Sequence, residues 1–396
     1  MKIYANDLNG MKAEIQAELK NHIIPFWEKL KDNDFGGFYG LLDYNLNLDK
    51  KAPKGCILNS RILWFFSNAY KLLEDKELAL CANHAWNFLN NYCMDKENGG
   101  IFWSLNYDGS VLDSTKHTYN QAFALYALSS FYEITKNKDV IKTAESLFNT
   151  IEEKCCDAKG YLEAFTKDFK PESNEKLSEN GVLASRTMNT TLHVLEAYTE
   201  YYRVTKNAKA KERLIYILNL VADKIWNADN RRQKVFMDDD YNSIIDLYSY
   251  GHDIESSWLI DRALEVLNVE ELTQKLTPIT KAMAEHTFEV AYKNHSMMNE
   301  CEKGVDNEKR VWWIQAETVV GFMNEFQKSG DEKFLRASLD VWEYIKKFII
   351  DKREGSEWFW AVDKDGNPDK SLEIVEPWKC PYHNGRMCFE IINRIK

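Results

Sequence analysis

Proline and glycine are scarce in this chain of 396 residues, which has 7 Pro and 17 Gly. At average usage a chain of this length would carry roughly 20 and 28 of them. Because proline interrupts helices and glycine makes turns, the shortage favours long helices and excludes a collagen-like rod, a β-sandwich and a disordered tail. The hydrophobic fraction of 44% suffices for a large core, in two ordinary domains or in one closed array.

Long apolar runs and an excess of positive charge are also missing. No run reaches the roughly 18 residues that a membrane-spanning helix needs, and the first residues lack the apolar core of a signal peptide. The net charge is −11, from 51 basic and 62 acidic residues. Since such a surface repels phosphate backbones and anionic lipids, we expect neither nucleic acid nor membrane as a partner. The lack of a signal-peptide core and of a spanning run leads us to expect a cytoplasmic protein.

Motifs for cofactors, metals and disulfides are absent as well. The sequence has no GxGxxG, Walker or HExxH pattern, so we expect no cofactor and no catalytic metal. Its 8 Cys include no CxxC, which predicts reduced and mostly buried thiols. The run Asp238-Asp239-Asp240 is interpreted as a solvated loop and not as a cation site.

Apolar residues recur at i, i+3, i+4 and i+7 along most of the chain and predict twelve helices. These are residues 8–30, 57–74, 77–94, 117–135, 138–154, 187–206, 208–227, 252–267, 269–292, 312–329, 331–350 and 381–394. The connections alternate in length. Long ones cover residues 31–56, 95–116, 155–186, 228–251, 293–311 and 351–380, and the links near residues 75, 136, 207, 268 and 330 have only one or two residues.

Short links make antiparallel helix pairs, so all the long connections must lie at one end of the array. The long connections also resemble one another, because most contain a short aromatic strand running into a polar turn. These segments are residues 36–43, 99–106, 160–165, 234–240 and 357–363. We therefore predict an all-α fold, a single (α/α)6-barrel domain over residues 1–396 with short β excursions in the loops. An open solenoid is the structural alternative.

Polar and aromatic side chains gather in the first turns of the even-numbered helices, which would ring the mouth of such a barrel. The set comprises Arg61, Tyr119, Asn189, His193, His252, Glu255, Trp258, Trp313, Glu317, His383 and Arg386. Within a helix the polar members lie three or four residues apart and share one face. A single pair is most simply a structural contact, but polar groups are costly inside a barrel unless paired or functional. The whole set therefore indicates a site.

This set suits proton transfer on a neutral, hydroxylated substrate. Two histidines with pKa values near 6.5 can serve as base and acid around neutral pH. Glu255 lies one turn from His252 and could fix its tautomer, and the permanent charge of Arg61 could hold an oxyanion.

Two further features concern the sugar and the last helix. Trp313 and Trp378 can stack on sugar faces, although a tryptophan at helical spacing is more often part of a core. Pro381 is expected at the first position of the last helix, with His383 in its first turn.

Five stretches of the sequence resemble cellobiose 2-epimerases of the N-acylglucosamine 2-epimerase superfamily. They are Asn59-Ser60-Arg61 and residues 188–193, 251–255, 312–317 and 378–383. The resemblance covers essentially the whole chain, and the stretch from Trp378 to Met387 is specific to the cellobiose branch. The fold of that superfamily is an (α/α)6 barrel, which agrees with the helix pattern.

The resemblance implies reversible inversion at C2 of the reducing-end sugar of a β-1,4-linked disaccharide, through ring opening and an enediolate. By carry-over, the acid/base pair is His252 and His383, with His193 assisting at the oxygens. The resemblance also implies that Arg61 and Asn189 hold the enediolate and that Trp313 and Trp378 hold the sugars. Glu255 would support His252. The substrate site would be completed by Tyr119, Trp258 and Glu317.

Other activities remain open at this point. The same enediolate could instead receive a proton at C1, which would make the protein an aldose-ketose isomerase. The substrate could be cellobiose, lactose, mannobiose or an N-acylglucosamine. A glycoside hydrolase would use two carboxylates from Asp253, Glu255 and Glu317. A non-enzymatic helical scaffold is the remaining alternative. For a closed barrel we expect a monomer.

Overall fold

Twelve long helices make up most of the computed structural model, which describes residues 4–177 and 181–395. The first, α1, runs through Ala5–Glu18, a π-helical segment at Leu19–Ile23 and Ile24–Lys29. The others are α2 Cys56–Leu73, α3 Lys76–Phe88, α4 Thr118–Thr135, α5 Lys138–Lys154, α6 Met188–Thr205, α7 Ala208–Leu220, α8 Tyr250–Leu267, α9 Glu270–Val290, α10 Trp312–Ser329, α11 Glu332–Tyr344 and α12 His383–Arg394. Helices α3, α7 and α11 continue into π-helical segments at Leu89–Cys93, Val221–Ile225 and Ile345–Ile349. All twelve predicted helices are confirmed.

Two-residue links join α2 to α3, α4 to α5, α6 to α7, α8 to α9 and α10 to α11. The first residue of each link has a left-handed backbone, at Glu74, Lys136, Lys206, Asn268 and Gly330. In four links the second residue is an Asp or Asn whose side chain accepts a hydrogen bond from the first turn of the next helix; these are Asp75, Asn137, Asn207 and Asp331. The left-handed residue reverses the chain and the cap starts the next helix, so two residues suffice for each reversal.

The even-numbered helices form a closed inner ring. Each of α2, α4, α6, α8 and α10 contacts the next one, and α12 returns to α2. Every odd-numbered helix packs outside one of them, with α3 on α2 and, at the end of the circuit, α1 on α12. All side chains of α4 from Thr118 to Phe131 are buried, as expected of a helix inside a core. The predicted (α/α)6 barrel is confirmed.

Short strands lie in the long connections. They are β1 Lys54–Gly55, β2 Ser104–Leu105, β3 Val111–Asp113, β4 Lys116–His117, β5 Ala164–Phe165, β6 Arg186–Thr187, β7 Trp226–Asn227, β8 Arg232–Gln233, β9 Phe236–Met237, β10 Leu247–Ser249, β11 Tyr292–Lys293, β12 Ser296–Met297, β13 Glu300–Glu302, β14 Val305–Asn307, β15 Arg310–Val311 and β16 Ala361–Val362. Four of the five segments predicted as strands contain one of these. Residues 36–43 instead form isolated bridges at Phe38 and Leu42.

Antiparallel pairing ties each long connection to the next around the mouth of the barrel. The pairs that do so are β1 with β2, β4 with β5, β6 with β9, β10 with β13, and β15 with β16. A bridge between Leu42 and Val375 joins the sixth connection to the first. The loops are therefore linked in a circle that matches the ring of inner helices.

Ion pairs that each contain a buried cation fasten the connections to the inner ring. In three of the long connections, a Lys or Arg that lies two residues before an inner helix binds an Asp near the start of the same connection. They are Lys54 with Asp32 at 2.6 Å, Lys116 with Asp95 at 3.0 Å and Arg186 with Asp157 at 2.7 Å. The first turns of α2, α4 and α6 are thereby fixed in place. No helix in the part of the chain that the structure describes has an apolar stretch long enough to cross a bilayer.

Candidate active site

A cavity of about 490 Å³ opens at the mouth of the barrel, between the first turns of the inner helices and the long connections. Nine of the eleven predicted catalytic and substrate-binding residues line it: Arg61, Tyr119, Asn189, His193, His252, Glu255, Trp313, Trp378 and His383. The other two, Trp258 and Glu317, lie behind this lining and are 2% and 0% exposed. From this position they can support the lining residues but cannot contact a sugar in the cavity directly.

Each of the three histidines in the cavity has its Nδ1 atom fixed by one hydrogen bond. The partners are the Ser249 hydroxyl for His252 at 2.7 Å, the Glu196 carboxylate for His193 at 2.9 Å and the Glu317 carboxylate for His383 at 2.8 Å. With Nδ1 engaged in this way, the orientation of each ring is set and Nε2 is the nitrogen left for chemistry.

Burial keeps two of these imidazoles uncharged at neutral pH. It lowers the pKa of His252 to about 4, although the negative charge of Glu255 acts in the opposite direction. It also lowers the pKa of His383 well below its ordinary value, and the nearby charge of Arg386 adds to this effect. A neutral imidazole carries one proton and one lone pair, so each ring can take or give a single proton.

The Trp313 ring lies against both histidines. Its centre is 4.9 Å from that of His252 and 5.3 Å from that of His383. Because one rigid ring packs on two imidazoles from α8 and α12, the spacing of the pair is fixed by packing as well as by hydrogen bonds.

Arg61 is a buried cation with no carboxylate partner among the described residues. Its Nη2 donates to the Tyr119 hydroxyl at 2.7 Å and its Nη1 to the main-chain oxygen of Trp378 at 3.3 Å. The guanidinium also lies 4.1 Å from the centre of the Phe123 ring. An unpaired charge in a dry site is costly, so this group is well suited to bind an oxyanion that forms in the cavity.

A second buried cation, Arg386, holds three carboxylates. It donates to Glu196, Glu255 and Glu317, and two of these carboxylates in turn bind His193 and His383. The site therefore rests on a charge cluster formed by α6, α8, α10 and α12.

The expectation that Glu255 fixes the tautomer of His252 by a hydrogen bond is wrong. One Glu255 oxygen accepts from Arg386, and the other has no hydrogen-bond partner within the described chain. The Ser249 hydroxyl occupies Nδ1 of His252 instead. Glu255 acts on that ring only through its charge, which raises the pKa of His252 against the larger effect of burial.

One cluster has spacing that a metal ion could use. Ligand atoms of Glu255, Glu317 and His383 lie within 4.8 Å of one another. Arg386 donates to both of these carboxylates and already supplies a positive charge at that point.

Helix α12 begins at His383 and not at Pro381, so the expected start is two residues early. Residues 376–382 bend before the helix, partly because the Glu376 carboxylate accepts the backbone N–H groups of Trp378 and Lys379 at 2.7 and 2.6 Å. His383 nevertheless lies in the first turn, as predicted.

Two acidic features of the sequence lie away from the cavity lining. Asp238 accepts the N–H groups of Asp240 and Asn242 and closes its own exposed turn. Asp253 is 1% exposed and accepts a hydrogen bond from the Gln233 side chain at 2.9 Å. Of the three acids considered for a hydrolase, only Glu255 reaches the cavity.

Several functional residues were not predicted from the sequence. Glu196 lies three residues after His193, the same spacing that identified the other pairs, so this signal was available. Ser249 lies just before α8. Tyr382, whose hydroxyl donates to Glu196 at 2.6 Å, lies just before α12. The rest of the cavity lining comes from the long connections, where no periodic pattern exists. Its residues include Lys176, Asn299, Glu300, Asn307, Lys309 and Trp360.

A family model described as N-acylglucosamine 2-epimerase (GlcNAc 2-epimerase) matches residues 37–384. This chain belongs to the N-acylglucosamine 2-epimerase family. The matched range contains all eleven predicted catalytic and substrate-binding residues, from Arg61 in α2 to His383 in α12.

Members of this family that resemble the chain over its length include named epimerases. A cellobiose 2-epimerase of Ruminococcus albus is 49% identical over 384 residues, which cover 97% of this chain and 99% of the relative. One of Eubacterium cellulosolvens is 47% identical over 399 residues, with 96% and 98% covered. The crystal structure of a sugar epimerase from a ruminal bacterium has a TM-score of 0.96 at 49% identity and covers 97% and 99%. The chain is a carbohydrate epimerase, and both this prediction and the predicted family are confirmed.

Proposed function

We propose that this epimerase reversibly inverts C2 of the reducing-end sugar of β-1,4-linked disaccharides, turning cellobiose into glucosyl-mannose and lactose into epilactose. The observation that carries the proposal is the pair of neutral imidazoles, His252 and His383, packed on the same Trp313 ring in one cavity. Inversion at a carbon that carries a proton needs one group to remove it and another to return one from the opposite face.

The neighbouring residues suit the charges that this reaction creates. Removing the C2 proton from an opened sugar leaves an enediolate, and Arg61 supplies an unpaired positive charge for its oxygens. The Asn189 side chain lines the same cavity, and its Oδ1 has no hydrogen-bond partner among the described residues. His193, with its Nδ1 on Glu196, assists proton movement at the ring oxygen during opening.

The size and lining of the cavity suit two sugar rings. Trp313, Trp360 and Trp378 offer apolar faces, and polar residues of the β13–β14 hairpin line the same cavity. Sugar sites combine aromatic faces with a few placed polar groups. The names of the relatives in Ruminococcus albus and Eubacterium cellulosolvens favour cellobiose as the first substrate to test.

We further propose that residues 1–396 form one catalytic domain that works as a cytoplasmic monomer without a cofactor, a nucleic acid or a membrane partner. The net charge of −11 disfavours nucleic acid and membrane partners, and the circle of paired loops supports a single domain.

The test is incubation with cellobiose in heavy water. Glucosyl-mannose carrying deuterium at C2 is the expected product, and His252→Ala and His383→Ala should abolish its formation. His295→Ala is a matched control, because His295 lies on the surface and contacts Asp340. Full activity in either of the first two variants would refute the proposal.

The same assay separates the alternatives. Ketose as the dominant early product would indicate an isomerase, and free glucose would indicate a hydrolase. Parallel reactions with lactose, mannobiose, N-acetylglucosamine and mannose rank the substrates.

A further inference from the structure

The three histidines of the site differ in what their Nδ1 atoms contact. A hydroxyl such as that of Ser249 can donate or accept, so it satisfies either tautomer of His252. An ionised carboxylate only accepts, so Glu317 requires a proton on Nδ1 of His383 until the carboxylate is itself protonated. The contact partner therefore decides whether Nε2 of His383 carries a proton, whereas it leaves both tautomers open to His252.

Four donors surround the carboxylate of Glu317. Trp258 Nε1 donates to Oε2 at 3.0 Å, and Oε1 accepts from Arg386 through Nη2 at 2.7 Å and Nε at 3.2 Å. The fourth contact is His383 Nδ1 at 2.8 Å. Indole and guanidinium N–H groups can only donate. The contact with His383 is therefore the one place where this carboxylate can exchange a proton.

Burial favours a proton on this carboxylate. Burial raises the pKa of Glu317 to about 8, and the charge of Glu255 adds to this while Arg386 acts against it. The other carboxylate that binds a histidine behaves differently. Burial alone would raise the pKa of Glu196, but Arg386 and the hydrogen bond with His193 lower it to about 2.

The same surroundings disfavour a charged ring at His383. After burial, the groups that lower its pKa are Arg386, Arg61, His193 and His252, which come from α12, α2, α6 and α8. An imidazolium at this point would lie in a dry site between two permanent cations.

We propose that Glu317 is a positioning residue that takes up the Nδ1 proton of His383 when Nε2 of the same ring accepts the C2 proton of the sugar. This inference rests on the proposed epimerase function. The C2–H bond breaks, its proton goes to Nε2, and its electron pair enters the enediolate. The Nδ1–H bond breaks at the same time, and that proton goes to Oε1 of Glu317.

His383 stays neutral throughout this step. The negative charge moves from Glu317, beside Arg386, to the enediolate, beside Arg61. Return of the proton to carbon reverses both transfers. The serine protease triad is different, because its carboxylate stays ionised; here the second carboxylate and the dry surroundings make Glu317 the better base.

Nitrogen NMR of the imidazoles tests the proposal on the enzyme alone, from pH 6 to 10. The His383 signals are assigned by their loss in His383→Gln. We expect a neutral ring that changes from the Nε2–H to the Nδ1–H tautomer as the pH rises through about 8, and no such change in Glu317→Gln. A doubly protonated ring in the lower half of this range, or one tautomer throughout in the native enzyme, would overturn the proposal.

Kinetics provide a second test. In Glu317→Gln we expect kcat on cellobiose to fall about 100-fold, the lower end of the range for proton-transfer groups, with KM changed less than about threefold. In the native enzyme we expect an inflection of kcat/KM near pH 8, where Glu317 loses its proton. This inflection should disappear in Glu317→Gln and return in part in Glu317→Asp. Glu196→Gln is the matched control, since it removes the other histidine-bound carboxylate and should leave the inflection in place.

Retention of the inflection in Glu317→Gln contradicts the proposal. The NMR experiment uses no sugar, so it stands or fails independently of whether the enzyme epimerises disaccharides.

Discussion

The guanidinium of Arg61 is held by the phenol of Tyr119 at 2.7 Å and by no carboxylate of the described residues. Arg386, in the same barrel, contacts three carboxylates. The two buried cations therefore have opposite roles. The charge of Arg386 is neutralised by the carboxylates that it binds, whereas the charge of Arg61 is available to a bound substrate.

Replacing Arg61 should therefore harm catalysis without harming the fold. In Arg61→Met we expect kcat/KM for cellobiose to fall about 100- to 1,000-fold, as for loss of one group that stabilises an oxyanion. The thermal midpoint should stay the same or rise, because an unpaired buried charge is replaced by an apolar side chain of similar length. Steady-state kinetics and calorimetry measure the two effects.

Lys116→Met is the contrasting control. Lys116 and Asp95 form a buried pair with side chains 0% and 2% exposed, so this change strands a carboxylate. The free energy of unfolding should fall by about 3 to 5 kcal/mol. A large loss of stability in Arg61→Met would show that Arg61 is structural as well.

The stability of the enzyme should depend on pH through His252. Its pKa is about 4 when folded and 6.5 as an ordinary value, so the unfolded chain binds more protons between these limits. The neutral His252 ring therefore costs the fold nothing above pH 6.5, and the free energy of unfolding decreases as the pH falls from 6.5 toward 4. This one group should make the fold about 2 kcal/mol less stable at pH 5 than at pH 7.

The measurement is urea unfolding of the native enzyme and of His252→Gln at both pH values. Buried acids with raised pKa values, such as Glu163 and Asp253, act in the opposite direction, so the comparison between the two proteins isolates the histidine. Equal pH dependence in both would contradict the prediction.

Local signals explain how much of the fold was predictable. Helix periodicity identified the twelve helices, and the one- or two-residue links showed that the long connections share one end. The links are also recognisable in chemical terms, since a left-handed residue followed by Asp or Asn ends one helix and starts the next, as at Lys136-Asn137.

Contacts between distant helices explain what was not predictable. Spacing within α8 correctly placed His252 and Glu255 on one face, but their partners come from elsewhere. Glu255 binds Arg386, which is 131 positions away, and His383 binds Glu317, which is 66 positions away. Periodicity within a helix contains no information about which neighbour in the ring supplies a partner.

Glu255 and Asp253 lie two residues apart on α8 and provide a matched pair of substitutions. Glu255→Gln should lower kcat by about 100-fold, because Glu255 lines the cavity together with His252 and His383 and one of its oxygens has no hydrogen-bond partner among the described residues. Loss of its charge should also shift the acid limb of kcat/KM to lower pH, since that charge raises the pKa of His252. Asp253→Asn should keep activity within about threefold, because Asp253 lies outside the cavity. A large loss of activity in a folded Asp253→Asn variant would contradict this assignment.

The ring of Trp378 should contribute to sugar binding and not to the chemical step. It lines the cavity, and the hydrogen bond from Arg61 goes to the main-chain oxygen of this residue, which any side chain preserves. The guanidinium of Arg61 lies 6.0 Å from the centre of the ring, at the outer limit of a cation–π contact. In Trp378→Ala we therefore expect KM for cellobiose to rise about tenfold, the value of one good aromatic contact, with kcat changed less than about threefold. Trp103→Ala is the control, because that ring packs 5.7 Å from Trp378 without lining the cavity, and its effect on KM should be smaller. If kcat falls as much as in Arg61→Met while KM is unchanged, Trp378 acts in the transition state, and its assignment to sugar binding is wrong.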